Sequence, residues 1–177
     1  MVLKYIVAAL FVAVYFIRGR ELGFTSVSPF YTHLTFSFQH GSIIHLALNT
    51  LVFISTFRVM ERFIKPFILF LVIYIIAVLA SFSSVTDIPT VGSSGMIYAM
   101  FGMETVIVIY NNATGKQKRL FLFAIIVMLT ASFFNACSSF MVHITSYTFG
   151  AMFYMVKRWR HLRRHLHPSK KLTIIKQ

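Results

Sequence analysis

Three groups of polar residues interrupt an apolar chain at places where they could do chemistry. They are His40, His45 and Asn49; the string Gly92-Ser93-Ser94-Gly95; and His143. A hydroxyl, imidazoles and a side-chain amide are the parts needed for acyl transfer. Serine supplies a nucleophile, a histidine takes its proton, and further donors hold the charge that develops on the carbonyl oxygen. Each group alone has an ordinary reading. Gly-Ser-Ser-Gly is the composition of a flexible turn, and a histidine or asparagine inside a helix bundle can simply bond to a neighbouring helix. Chemistry requires that separate elements bring the groups together.

Those elements are membrane spans. Of the 177 residues 58% are hydrophobic and 12% charged, against about 45–50% and 25% in a soluble domain, and mean hydropathy is +0.77. This excludes a disordered chain, a disulfide scaffold (Cys137 is the sole cysteine) and an ordinary soluble enzyme. Apolar runs occur at Val2–Ile17, Ile43–Met60, Pro66–Phe82, Ser94–Tyr110, Leu120–Phe134 and Phe140–Val156. At roughly 20 residues per span they predict an all-α polytopic membrane protein of six transmembrane helices. A membrane domain would occupy 1–157 and a basic tail 158–177. Phe16-Ile17-Arg18 offers no small-residue cleavage site, so the first run reads as an uncleaved span. The loop after it carries Phe24, Phe30, Tyr31, Phe36 and Phe38, and is expected in the interface or packed on the bundle.

The net charge of +13 is topological rather than a sign of nucleic-acid binding. With six spans, every Lys and Arg except Arg18 and Arg20 falls on the side of the two termini. The positive-inside rule makes that side cytoplasmic. The second, fourth and sixth spans then run from outside to inside, and their N-terminal ends carry the three polar groups at one depth. Costly polar groups inside a bilayer tend to mark function. On a helical wheel His45 and Asn49 lie about 40° apart and face one neighbour, whereas His40 lies about 140° from His45, arguing against a shared metal site. Gly95, Ala99 and Gly102 form a small stripe on the fourth span, and Ser146 and Gly150 one on the sixth. Such stripes allow close helix approach, which would put Ser94 beside His143.

Taken in order, the string His40-x-x-x-x-His45-x-x-x-Asn49, then Gly92-x-Ser94-Gly95-x-x-Tyr98-Ala99-x-x-Gly102, then His143 and Gly150, resembles the rhomboid intramembrane serine proteases. Glu61 stands where that family has an acid ending its second span, and the likeness covers Leu34–Lys157. The resemblance implies a rhomboid-like bundle and a Ser-His dyad. Ser94 would attack, His143 would act as base and then acid, and His45, Asn49 and the Ser94 backbone N–H would hold the oxyanion. Tyr98 would pack against His143, with Gly92, Gly95, Gly150 and His40 in support. It also implies transmembrane protein substrates cut within or beside their helices, lateral entry near Phe133 and Phe134, and no metal or cofactor. Three departures stand out: Ser146 replaces a glycine of the family, Tyr31-Thr32 replaces a Trp-Arg pair, and Glu104 replaces an apolar residue.

Two other readings compete. A rhomboid-like binder that does not cut would have lost the serine or histidine, and both are present. A channel or transporter would spread His40, His45, His143 and Glu104 through the membrane's depth, whereas the three histidines cluster at one end. His161, His165 and His167 belong to a solvated basic helix rather than a metal site. The expected setting is the cytoplasmic membrane of a bacterium, both termini inside and the active site toward the outer face. Substrate identity and oligomeric state are not readable from the residues.

Overall fold

The computed structural model describes residues 2–17, 22–84, 87–110, 114–133 and 139–166. Its helices begin where the sequence supplies caps. Ser42 is extended and its hydroxyl accepts the His45 N–H at 3.1 Å, an N-cap that starts α3 (Ile43–Met60) three residues before His45. Pro66 opens α4 (Pro66–Ser81), where a missing N–H costs nothing. Thr114 and Gln117 form a reciprocal capping box at 3.3 and 2.9 Å that starts α6 (Gly115–Phe133). The Ser139 hydroxyl accepts the Val142 N–H at 3.3 Å before α7 (Phe140–Leu166). The remaining helices are α1 (Leu3–Ile17), the short α2 (Tyr31–Thr35) and α5 (Ser94–Tyr110). Among the described residues the protein is all-α, without a strand.

Helix α5 is the centre of the bundle. From Gly95 to Ile107 every residue but Glu104 is buried, as expected of a helix that is apolar on all sides. It packs on α3, α4 and α7, and α1 packs on α3. The core around it is made of Phe11, Phe53, Phe57, Leu69, Ile73, Met96, Met100 and Met103. At the far end from Ser94, the Lys4 ammonium meets the Glu61 carboxylate at 2.7 Å with both side chains largely buried, pinning α1 to the end of α3.

Among the described residues one helix, Ile43–Met60, is both long and apolar enough to cross a bilayer by length and composition, while Leu3–Ile17, Pro66–Ser81 and Ser94–Tyr110 are apolar but shorter. Two helices outrun their apolar runs. Helix α6 begins five residues before Leu120, and α7 continues through the expected 157/158 boundary to Leu166. Lys, Arg and Leu are good helix formers, so a loss of hydropathy there is no signal to stop.

The aromatic loop packs on the bundle. Phe24 is buried and pairs its backbone with Thr90 in both directions, at 3.2 and 2.9 Å. The His33 ring stacks between Phe24 and Phe82, centroids 4.8 and 4.3 Å away. Its Nδ1 bonds to the Ser81 hydroxyl at 2.8 Å, and burial pushes its pKa down. Tyr74 of α4 donates to the Leu34 carbonyl at 2.7 Å.

Candidate functional site

Backbone contact between α5 and α7 positions the reactive groups. A Cβ on Gly102 would overlap the Tyr147 carbonyl, and one on Gly150 the Ala99 carbonyl. Only glycine permits this approach, in which the two helices touch main chain to main chain. Higher up, Ser146 is buried and its Oγ would lie 3.5 Å from a Gly95 Cβ. The serine in place of the family's glycine therefore fits against Gly95 without parting the helices.

At the top of this seam the His143 Nε2 lies 2.7 Å from the Ser94 Oγ. The Tyr98 ring stacks on the imidazole, with centroids 4.3 Å apart and planes 21° from parallel. Tyr98 also donates its hydroxyl to the Met128 carbonyl at 2.8 Å, so one residue touches His143 and ties α5 to α6. Ser94 is the first residue of α5, where backbone N–H groups have no partner within the helix.

Helix α3 supplies the third side. Gly92 has φ +120°, a left-handed conformation that side chains rarely adopt. A Cβ there would lie 2.9 Å from the His45 Nε2 and 3.8 Å from the Ser94 Oγ. The missing side chain thus lets His45 approach the serine. Asn49, one turn below, donates its amide to the His45 carbonyl at 3.0 Å.

The placement of His40 corrects the wheel reading. The helix begins at Ile43, so no helical angle relates His40 to His45, and the two rings meet edge to face at 5.3 Å. His40 is buried beneath the site, 5.4 Å from the Phe11 ring. Ser93 is the group that sequence reasoning missed. Its hydroxyl is fully buried and lies 3.4 Å from both the His40 Nε2 and the Asn49 Oδ1. The missed signal was its place just before the helix start, where a side chain can turn toward α3 rather than α7. Asp87 accepts a hydrogen bond from the Ser26 hydroxyl at 3.1 Å on the surface. Phe134 lies outside the described residues, as does the Phe133 side chain.

The arrangement can deprotonate one hydroxyl and offer donors beside it from a second helix. Residues 28–160 match the model of a family described as the Rhomboid domain. Among curated proteins none matches the chain.

Proposed function

Since the chain belongs to the rhomboid family, whose members are integral membrane proteins and generally serine proteases, we propose that it is an intramembrane serine endopeptidase using the Ser94–His143 dyad. The observation that carries this reading is the 2.7 Å contact between the serine hydroxyl and the imidazole. His143 Nε2 takes the Ser94 proton as Oγ bonds to the scissile carbonyl carbon. The resulting oxyanion accepts from His45, Asn49 and the Ser94 backbone N–H. When the C–N bond breaks, His143 returns the proton to the leaving amine. Water, activated by the same imidazole, then hydrolyses the acyl-enzyme. Stacking on Tyr98 holds the imidazole in the plane that both transfers need.

In this reading residues 1–157 form a six-span membrane domain, with 158–177 a cytoplasmic basic tail. The basic residues gather at the cytoplasmic face and the dyad opens toward the outer one. Substrates are transmembrane proteins, presented from the bilayer past the side of the bundle that α6 covers. A bacterial cytoplasmic membrane suits this orientation.

A serine-directed fluorophosphonate tests the dyad. We expect adduct mass on Ser94, none in Ser94→Ala, and none in His143→Ala although that variant stays folded. Labelling at Ser93, or undiminished labelling without His143, would overturn the assignment. Cleavage of a single-span substrate by the wild type and not by Ser94→Ala separates a protease from a silent binder.

A further inference from the structure

Away from the dyad, α4 and α7 diverge and leave a groove of about 740 Å³ between them. Its walls are apolar, with Ile76 and Leu79 on α4 and Phe149 and Phe153 on α7. One end differs. There Lys157, Arg160 and His161 line it, on the stretch of α7 that stays helical beyond the apolar run. Lys157 bonds to the Phe63 carbonyl at 2.6 Å, which holds its ammonium over the turn joining α3 and α4. The same ammonium stands 5.3 Å over the Tyr154 ring, and with three protons it can serve a further acceptor.

We propose that this groove holds one anionic phospholipid of the cytoplasmic leaflet, its acyl chain along the apolar walls and its phosphate on Lys157, Arg160 and His161. The assignment rests on the membrane placement and orientation given above and not on catalysis. Three observations select this occupant. Along α7 the apolar wall from Phe149 to Val156 is about 10 Å long, and Arg160 stands about 6 Å beyond it. That is the order of an acyl chain's upper half followed by a headgroup, within a leaflet of about 15 Å of hydrocarbon. The ionisable side chains at that end are all basic types, with no carboxylate among the lining residues, which fits a phosphate; basic pockets between spans on the cytoplasmic side recognise such headgroups. A second copy of this chain, itself carrying a net charge of +13, would bring like charge to that end. The lipid would fill the gap between α4 and α7 and brace the helix that carries His143.

Native mass spectrometry of the full chain, bearing Ser94→Ala so that cleavage plays no part, measures this directly. The probes are phosphatidylglycerol and phosphatidylcholine with identical chains. One phosphatidylglycerol should be retained in preference to phosphatidylcholine, and Arg160→Gln should weaken that retention about five-fold. Arg160→Lys should keep it. Arg158→Gln is the control, because it removes the same charge from a guanidinium that stands 4.8 Å over the Tyr110 ring instead. Ile76→Trp, which fills the groove, should abolish retention of both lipids. Equal weakening by Arg158→Gln would reduce the effect to general charge and overturn the site. So would equal retention of the two lipids, or complete displacement by inorganic phosphate.

Discussion

Helices α5 and α6 are neighbours in sequence, yet the structure treats them oppositely. Around α5 the packing is closed, with buried side chains on every face and main-chain contact to α7 at Gly102 and Gly150. On α6, Leu122, Phe123, Ile126 and Val127 are exposed, and Ile125 is the buried hydrophobic residue among those whose side chains are described. A helix held by few buried contacts opens at low free-energy cost, whereas one enclosed on all sides opens only with the whole fold. The serine and histidine sit on the closed pair. The element between that pair and the bilayer on the other side is the loosely held one. Under the proposed function, such a division would keep the reacting atoms fixed while giving a substrate helix a way in.

The matched pair of substitutions that tests this contrast most severely is Gly102→Leu against Ala124→Leu. At Gly102 even a Cβ overlaps the Tyr147 carbonyl, so α5 and α7 must part. We expect loss of the folded state, read as aggregation in detergent and no fluorophosphonate labelling. Ala124 is exposed on α6, and leucine there should leave the melting temperature and labelling unchanged. Comparable damage from both would show that α6 is as closely held as α5.

The next largest effect is expected on the α3 side of α5. In the proposed mechanism Asn49→Ala removes one oxyanion donor, and losses of this kind run to about 10²–10³ in kcat. KM should change little, because the interaction strengthens only as charge develops. Ser93→Ala acts one step farther away. It leaves the Asn49 Oδ1 without the hydroxyl 3.4 Å away, while the amide remains bonded to the His45 carbonyl. A positioning role predicts about a five-fold fall in kcat, as for loss of one ordinary hydrogen bond, at unchanged melting temperature. A fall in stability with kcat intact would make Ser93 a packing residue only.

How far the sequence could foresee this varies with what bounds each element. The apolar runs Ile43–Met60 and Ser94–Tyr110 coincide with α3 and α5, because Ser42, Glu61 and the glycine-serine string punctuate them, although the wheel reading carried α3 back to His40. The end of α7 was not readable, because basic residues end a span without ending a helix. The contact between Ser94 and His143 was legible through the small stripes that bring α5 against α7. His40 was misjudged, since a wheel angle has no meaning before the cap at Ser42. The clasp of His33 between Phe24 and Phe82 joins positions far apart in the chain, and loop composition can say that aromatics pack without saying on what.

The mildest test acts at Tyr98, which joins the two regions. Tyr98 stacks its ring on His143 and donates its hydroxyl to the Met128 carbonyl of α6. Tyr98→Phe keeps the first contact and removes the second, so it loosens α6 without touching the dyad. The hydrogen bond is worth about 0.5–1.5 kcal/mol, which limits the change in any rate to roughly ten-fold. If α6 controls entry, its amides should exchange hydrogen faster while those of α5 stay protected. Cleavage of a transmembrane substrate should then rise relative to labelling by a small fluorophosphonate, since only the large substrate needs the opening. An equal change in both reactions would mean that the hydroxyl acts through the imidazole, and that α6 is no gate. The same variant with exchange unchanged in α6 would place the hold on that helix elsewhere, in the contacts of Ile125.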